Sequence, residues 1–476
     1  MGYDRLGHAT GRPHTRKARG FNAPLYEEAH MPSRTSLSRI LMLSSALLAA
    51  GASAAPPVVT APFTPDSGTL TVRCGLLIDG IADVPLKDAT VVIRDGRVTY
   101  AGPAAGASEQ GEVLDLGTHT CLPGLIDMHD HIADRPDDTR DLRIYFTRDA
   151  TTQRTVAQEN ANITLAAGFT SVRSPGAYIA WAENDIRDRV NRGEVAGPRI
   201  QAAGIYLTIP GGGGDLLVPG VPEKDIPPHV RMGVARGPEQ FAEKTRLAIS
   251  NGADFIKLIA SGAVLAYGGV PGAPEMTPEE LRAVVQVAHA AGIKVAAHAH
   301  GAQSIKEAIL AGADTIEHAS LADDEAIALA AKHKVALSMD VYNGDYIATV
   351  GREQGWPEEF LRKNDETTEA QRQAFTKAWK AGAPIVYGTD AAVYPHGLNA
   401  RQFRIMVERG MPAMDAIRAA TSVSAHYMGW DDRVGALVPG RFGDLIAVRG
   451  NPLDDITLLE NVPVVVKGGL VFKREE

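Results

Sequence analysis

Two histidines, His129 and His131, stand one residue apart at the end of an apolar run. If the run is a β-strand, alternate residues point to the same face, so both imidazoles can bind one ion. Imidazole is a common ligand of zinc and other divalent metals. An H-x-H pair alone is weak evidence, because such pairs also arise by chance, and the prediction depends on what the rest of the chain supplies.

Four more residues that can bind a metal stand within or at the end of later apolar segments. Lys257 lies in DFIKLIA, His298 ends KVAAH, His318 ends DTIEH, and Asp390 ends PIVYGTD. A lysine within an apolar strand is costly unless it is paired or neutral, and a neutral amine can condense with carbon dioxide to a carbamate that offers two oxygens to two metals. A salt-bridged structural lysine and satisfied interior polar groups are the alternatives, but the recurrence of such residues along the chain favours a shared metal site.

The segments that carry these residues alternate with helical patterns between residues 121 and 435. Eight apolar segments, most followed by a helix, predict a parallel sheet in an α/β fold. At this number and length, a closed (β/α)8 TIM barrel fits best, with an open doubly wound sheet as the alternative. Catalytic groups gather at the carboxyl ends of barrel strands, so we predict the metal site there.

Alternating β-rich patterns flank this region on both sides. They predict a small β-sandwich domain formed by both chain ends, residues 69–122 and 436–476, around a hydrolase barrel at residues 123–435. Two stretches interrupt the barrel pattern. The Gly- and Pro-rich segment 209–240 is predicted to be a lid or substrate-binding loop, and residues 341–370 a polar insertion.

Residues 1–54 predict a leader and signal peptide. The apolar stretch at 39–50 has a basic flank and is followed by a small-x-small motif that ends at Ala54. It is too short to span a membrane, and a disordered tail or buried helix is the alternative. Translation starts at the first residue or at Met31, and residues 55–68 are a linker. We therefore expect export to the periplasm or the medium, with cleavage near Ala54.

Composition excludes several partners. The formal net charge of −9 argues against nucleic acid and anionic membrane surfaces. With 45% hydrophobic and 22% charged residues, the chain is typical of a globular protein. Cys74 and Cys121 lack metal-ligand spacing. Export would permit a disulfide, but we expect two free, buried thiols.

The motifs PGLIDMHDH, FIKLIASG, VAAHAHG, TIEH and GTD resemble those of the amidohydrolase superfamily, and within it the binuclear members with a carboxylated lysine. The resemblance covers residues 70–476 and implies two divalent metal ions, expected to be zinc, and a homo-oligomer. It assigns the more buried ion to His129, His131 and Asp390, and the more exposed ion to His298 and His318. Lys257, as N6-carboxylysine, would bridge both ions.

Within that superfamily the chain resembles the imidazolonepropionase-like and Xaa-Pro dipeptidase-like subgroup, which includes ochratoxin-hydrolysing amidohydrolases. The resemblance implies cleavage by metal-hydroxide attack of an amide (peptide-like) bond in a dipeptide or N-acyl-amino acid with a free carboxylate, with ochratoxin-type amides among the candidates. Asp390 would take a proton and pass it to the leaving amine. Relatives often read T-G-G-H-G after the third strand, whereas Gly213 stands at the expected histidine, so the substrate stays open.

A substrate carboxylate needs a cationic or hydrogen-bonding partner. His300, Arg173 and Tyr206 are the candidates, because each is near the end of a predicted strand. A lactonase or cyclic-amide hydrolase with the same metal site is the alternative among enzymes. A non-catalytic barrel scaffold is the alternative of a different class, and the retention of every candidate ligand argues against it.

Overall fold

The protein is described here by a computed structural model that covers residues 68–475. The predicted leader and signal peptide, and residues 55–67 of the predicted linker, lie outside the described residues. Across residues 68–475, no helix has both the length and the apolarity that a bilayer crossing requires.

The described residues form strands and helices that alternate through the central part of the chain. The strands are β1 (Thr69–Leu77), β2 (Leu86–Arg94), β3 (Arg97–Pro103), β4 (Glu112–Pro123), β5 (Leu125–Asp127), β6 (Phe169–Ser174), β7 (Arg199–Ala202), β8 (Tyr206–Leu207), β9 (Phe255–Ile259), β10 (Lys294–Gly301), β11 (Thr315–Leu321), β12 (Ala336–Ser338), β13 (Ile385–Val386), β14 (Leu445–Arg449), β15 (Val464–Lys467) and β16 (Leu470–Arg474). The α-helices are α1 (Ile144–Thr147), α2 (Ala150–Ala166), α3 (Ala182–Asn191), α4 (Gly237–Ser250), α5 (Pro278–Ala290), α6 (Ala302–Ala311), α7 (Asp324–His333), α8 (Asn343–Tyr346), α9 (Glu358–Lys380), α10 (Arg401–Glu408), α11 (Ala413–Arg418) and α12 (Ser424–Met428).

The central strands form two parallel sheets, which confirms the predicted α/β class. One sheet has the order β13-β12-β11-β10-β9-β8 and the other β5-β6-β7. The predicted third strand is divided into β7 and β8 at Gly204, whose φ of 82° lies in the left-handed region. Backbone bonds also join the outer strands: Met128 N donates to Tyr387 O at 2.7 Å, and His131 N donates to Ala391 O at 3.0 Å.

The sequence of α5 accounts for where this helix begins and for the face that it packs against the sheet. Before α5, the Thr277 side chain accepts a bond from Glu280 N while the Glu280 side chain accepts one from Thr277 N, which caps the exposed amide groups. The buried residues of α5 then recur at helical spacing, so one apolar stripe faces the sheet. These residues are Leu281, Val284, Val285 and Ala288.

Both chain ends contribute to one further sheet, with the order β16-β15-β14-β4-β1-β2-β3. The register of β14 against β4 is antiparallel and pairs Ala447 with Cys121. Apolar residues from β1, β2 and β4 share a core cluster with residues of β14 and β15. The predicted joining of the two chain ends is thus observed as a single hydrogen-bonded sheet of seven strands.

The prediction of two free thiols was wrong, because Cys74 and Cys121 form a disulfide. The two residues are 47 apart in sequence, but β1 and β4 are adjacent parallel strands, so the Cα atoms come within 5.9 Å. The strands approach closely next to this bond: a Cβ at Gly75 would lie 2.2 Å from Gly117 O.

The two predicted interruptions differ in structure. In the 209–240 segment, Leu216, Val218 and Val230 pack in one apolar cluster with Tyr145, so the segment is fixed by packing rather than free in solvent. Residues 341–370, predicted as a polar insertion, contain α8 and the first half of α9.

Candidate metal centre

All the predicted metal ligands line one cavity at the carboxyl ends of the parallel strands. Lys257 lies within β9, His298 within β10 and His318 within β11, whereas His129 and His131 follow β5 and Asp390 follows β13. The H-x-H pair is thus just beyond its strand rather than inside it. The cavity lining includes all six side chains.

The first group consists of His129, His131 and Asp390, whose nitrogen and carboxylate atoms lie within 4.8 Å of one another. Asp390 Oδ1 is 3.4 Å from His129 Nε2 and 3.3 Å from His131 Nε2. His129 Nε2 is buried and has no hydrogen-bond partner among the described residues. A buried nitrogen without a partner is costly, and a metal ion at the centre of this group would satisfy it.

His129 is oriented from below by Glu317. Its Nδ1 is 2.8 Å from Glu317 Oε2, and the carboxylate is 0% exposed. Burial raises the pKa of Glu317, but the charge of Arg173 and the bond to His129 prevail and hold it well below its usual range. Burial and the nearby charge of Lys257 lower the pKa of His129 to about 3, so its ring is neutral. A carboxylate on the outer nitrogen fixes the tautomer of a metal-binding histidine.

Arg173 was predicted to contact a substrate, and its position corrects that prediction. The guanidinium is 3% exposed, pairs with Glu317, and donates to Met128 O at 2.7 Å and to Thr315 Oγ1 at 3.0 Å. It is absent from the cavity lining. Arg173 therefore neutralises the carboxylate that orients His129 and does not reach the cavity.

His131 is held by a second set of bonds. Its Nδ1 is 2.8 Å from Gly176 O, which leaves Nε2 facing Asp390. The Gly176 backbone is itself fixed, because Gly176 N donates to the buried Glu183 carboxylate at 2.9 Å. Burial lowers the pKa of His131, but the bond to Asp390 prevails and raises it to about 9. The proton shared by this pair is one that a bound cation would displace.

The second group consists of His298, His300 and His318, which also lie within ligand reach of one another. The ring centroids of His298 and His318 are 4.5 Å apart, and His300 stacks on His318 at 4.8 Å. His318 Nδ1 is 3.0 Å from Asp340 Oδ1 and His300 Nδ1 is 2.8 Å from Ser320 Oγ, so the Nε2 atoms of both rings remain available. His300, predicted to contact substrate, is thus also placed to bind a metal ion together with His298 and His318.

Lys257 is buried in β9, with 2% of its surface exposed, and lines the cavity together with both groups. Burial lowers the pKa of Lys257 to about 8, against the attraction of Glu317 and Asp390. Burial thus favours the neutral amine, which is the reactive form.

Backbone strain coincides with two of the predicted ligands. His318 has a φ of 69° and Asp390 a φ of 58°, in the left-handed region that side chains other than glycine rarely adopt. Such strain costs on the order of 1–3 kcal/mol and is retained mainly at functional sites.

A buried carboxylate below the centre joins the ends of β5 and β13. Asp127 accepts bonds from His129 N at 3.0 Å and from Thr389 N at 3.1 Å. Thr389 Oγ1 and Asn399 Nδ2 donate to its second oxygen at 2.6 and 2.8 Å. These bonds fix the separation of His129 and Asp390.

The cavity above the two groups has an empty volume of about 1060 Å³ and is open to solvent. Tyr206 and His300 line it, in keeping with their predicted contact with substrate. Gly213 also lines it, and a Cβ at this position would lie 2.9 Å from Ala263 N. The cavity wall at this position is therefore formed by backbone, where the sequence analysis expected a histidine side chain.

The sequence interpretation missed four residues that act on this site: Glu317, Asp340, Asp127 and Asp134. Glu317 lies within the quoted TIEH motif, and Asp340 ends a predicted strand. A search for carboxylates within and at the ends of the predicted strands would therefore have found both. Asp127 precedes the H-x-H pair in the same way. Asp134 lies in an irregular segment and had no such signal.

Comparison with known proteins agrees with this geometry. The sequence profile of the Amidohydrolase family matches residues 120–471. The ochratoxinase of Aspergillus niger is 30% identical over 438 residues, which cover 88% of this chain and 89% of that protein. An imidazolonepropionase of Rhizorhabdus wittichii is 24% identical over 409 residues, which cover 76% of this chain and 88% of that protein.

A solved structure of a Xaa-Pro dipeptidase with methionine bound in its active site superposes with a TM-score of 0.79 and 36% identity, covering 85% of this chain and 100% of that one. The predicted subgroup is thereby confirmed. The chain is a member of the amidohydrolase family and a hydrolase that acts on amide bonds.

Proposed function

We propose that this protein is a binuclear, metal-dependent hydrolase of dipeptides or N-acyl-amino acids with a free carboxylate. The observation that carries the proposal is the convergence of His129, His131 and Asp390 on one point beside His298 and His318, at the floor of a cavity. Two ligand groups on either side of a buried lysine fit two ions better than one.

The donor set fits divalent zinc, because imidazole nitrogen and carboxylate oxygen are its usual ligands. His129, His131 and Asp390 would hold one ion, and His298 with His318 the other. When bound, such ions polarise a carbonyl and lower the pKa of water into the neutral range.

Lys257 is the proposed bridge between the two groups. Its Nζ adds to carbon dioxide, an N–C bond forms, and one proton leaves, which gives a carbamate with two oxygens. The support is positional: the side chain is buried and lines the cavity together with both groups. An uncharged lysine there would supply no oxygen ligand, whereas a carbamate supplies two.

Asp390 is the proposed proton carrier. One oxygen faces the two imidazoles, and Oδ2 accepts a bond from Asn343 Nδ2 at 3.2 Å. As water attacks the scissile carbon, its oxygen forms the new C–O bond and Asp390 accepts the proton. Asp390 then delivers that proton to the leaving nitrogen as the C–N bond breaks.

The substrate class is inferred from the relatives and the cavity. One relative is an ochratoxinase and another a Xaa-Pro dipeptidase with bound methionine. A free amino acid in that active site supports an amino-acid product here. His300 lies in the wall where it could bond a substrate carboxylate, and Tyr206 lies where it could contact the acyl side of the substrate.

A metal-replacement experiment tests this function. We expect chelation to abolish hydrolysis of dipeptides and N-acyl-amino acids, and zinc with bicarbonate to restore it with two ions per subunit, about 3.5–4 Å apart. The measurements are elemental analysis, X-ray absorption and a panel of substrates that includes lactones and cyclic amides. Full activity with one ion or none, or turnover of the lactones alone, would overturn the proposal.

We also infer that the two parallel sheets close into one (β/α)8 barrel and that the chain-end sheet folds over as a sandwich. The backbone bonds from Met128 to Tyr387 and from His131 to Ala391 support the first inference. The core cluster shared by both halves of the chain-end sheet supports the second.

We propose that the protein is exported and cleaved near Ala54. The apolar stretch with its small-x-small end supports this, and so does the Cys74–Cys121 disulfide, because disulfides persist mainly in oxidising compartments. N-terminal sequencing of the mature protein should begin at or close to Ala55. A cytoplasmic protein that retains Arg39 would contradict export.

A further inference from the structure

A buried carboxylate that the proposed mechanism does not use lies in the cavity wall. Asp134 is 6% exposed and lines the cavity. Its Oδ1 is buried and has no hydrogen-bond partner among the described residues. Removing an ionised carboxylate from water is costly unless a partner compensates it, so a group that enters the cavity is the natural partner.

Two arginines near Asp134 already have carboxylate partners. Arg148 pairs with Asp138, and both side chains are 4% exposed. Arg135 pairs with Glu159. The other cation that acts on Asp134 is His131, a candidate metal ligand, so with the metal centre loaded Asp134 adds a negative charge to this wall.

Three tyrosines complete the wall around Asp134. The ring centroids of Tyr145 and Tyr178 are 5.0 Å apart, and those of Tyr178 and Tyr206 are 5.3 Å apart. Asp134 lines the cavity together with all three tyrosines and accepts a hydrogen bond from the Tyr145 side chain. Burial and then the charge of Asp134 raise the pKa of all three phenols. Tyr206 Oη is 3.3 Å from His131 Nδ1, so the wall adjoins the metal centre.

A carboxylate beside aromatic rings selects one kind of ligand. Aromatic faces attract cations through the ring quadrupole, and a carboxylate attracts them directly. An anionic group would be repelled by Asp134, and a neutral donor would supply a hydrogen bond to Oδ1 without offsetting its charge. An organic ammonium or guanidinium group satisfies both features.

We propose that Asp134 and the tyrosine wall of Tyr145, Tyr178 and Tyr206 form a subsite for a cationic nitrogen on the acyl side of the substrate. The inference rests on the proposed amide hydrolysis and narrows its substrates to those with a positive charge. The cation can be the α-amino group of a dipeptide or the end of a basic side chain, which share the same chemistry.

Binding of a small cation tests the subsite without hydrolysis. We expect metal-loaded protein to bind 2-phenylethylamine about 10- to 100-fold more tightly than the uncharged 2-phenylethanol, measured by calorimetry. Asp134→Asn should lose this preference and Asp134→Glu should keep part of it. The exposed Asp141 is the control, and Asp141→Asn should bind as wild type does. Equal affinity for the two ligands in the wild type, or an undiminished preference in Asp134→Asn, contradicts the subsite.

Hydrolysis of matched substrates then identifies the source of the cation. Glycyl-phenylalanine and acetyl-phenylalanine differ only by the ammonium group, and 5-aminopentanoyl- and pentanoyl-phenylalanine form the equivalent pair for a basic side chain. In Asp134→Asn, kcat/KM should fall for the charged member of one pair and stay constant for the uncharged member. Equal kcat/KM within both pairs in the wild type refutes the subsite. Intact cation preference with no amide hydrolysed would refute the proposed function and leave the subsite standing.

Discussion

Lys257→Ala should lose both bound metal and turnover, and a short carboxylic acid should restore part of each. The lysine lines the same cavity as both ligand groups and, as carbamate, would supply an oxygen to each ion. Without it we expect hydrolysis to fall on the order of 10³-fold or more, because carbonyl polarisation and water activation are lost together. Acetate or propionate can enter the space left by the side chain and replace the carbamate oxygens. Elemental analysis and steady-state kinetics measure the two effects.

The control for this variant is Lys294→Ala, which removes a lysine from the opposite end of the neighbouring strand β10. Lys294 is 42% exposed and pairs with Asp314, so its loss should leave metal content and turnover unchanged. Growth with ¹³C-bicarbonate adds an independent readout: wild type should show a carbamate carbon by NMR that Lys257→Ala lacks. Full activity of Lys257→Ala without added acid would exclude the bridging role.

The positions of the metal ligands could be predicted from the sequence because a polar residue at the end of an apolar strand is unusual. His298 and His318 follow apolar residues in the second half of their strands, and parallel strands bring their carboxyl ends to one side of the sheet. Neither inference needs knowledge of long-range contacts. The α/β class was predictable because apolar segments alternate with helical patterns along the chain, which is also a local signal.

The role of Arg173 could not be predicted in this way. A strand-end arginine can face the cavity or pass beneath the ligands, and sequence pattern alone does not distinguish the two. Its partner Glu317 is 144 residues away, so only the fold shows that the charge is already used. The disulfide between Cys74 and Cys121 escaped prediction likewise, because it depends on the pairing of β1 with β4.

The helices after the seventh predicted strand were missed because their inner face is polar. In α9, Asn364, Thr367 and Gln371 are buried and line the cavity, so the apolar stripe typical of a helix is interrupted there. Gln371 Nε2 donates to Asp340 Oδ1 at 2.8 Å, which links this face to the orientation of His318. Residues 341–370, predicted only as a polar insertion, thus contribute side chains of α9 to the site.

Asp390→Asn should reduce turnover far more than it reduces metal binding. Asparagine keeps the shape and one oxygen, which can stay beside His129 and His131 if the new amide group faces Asn343. Asn343 can accept that bond only by giving up the one that its Nδ2 donates to Asp340, so part of the metal binding should be lost as well. What is lost is the negative charge and the basic oxygen that carries the proton. We therefore expect kcat to fall by about 10²–10⁴-fold, typical of lost acid–base catalysis, with partial loss of metal.

The KM of Asp390→Asn should change little, because a proton carrier acts on the transition state more than on substrate binding. That separation distinguishes the proposed role from a purely structural one, in which metal content and kcat would fall together. Asp365→Asn is the control, since Asp365 is a 54% exposed residue of α9 whose carboxylate pairs with Arg352. If Asp390→Asn kept both ions and near wild-type kcat, another group must carry the proton. His300 would then be tested first, because it lines the same cavity and its Nε2 remains available.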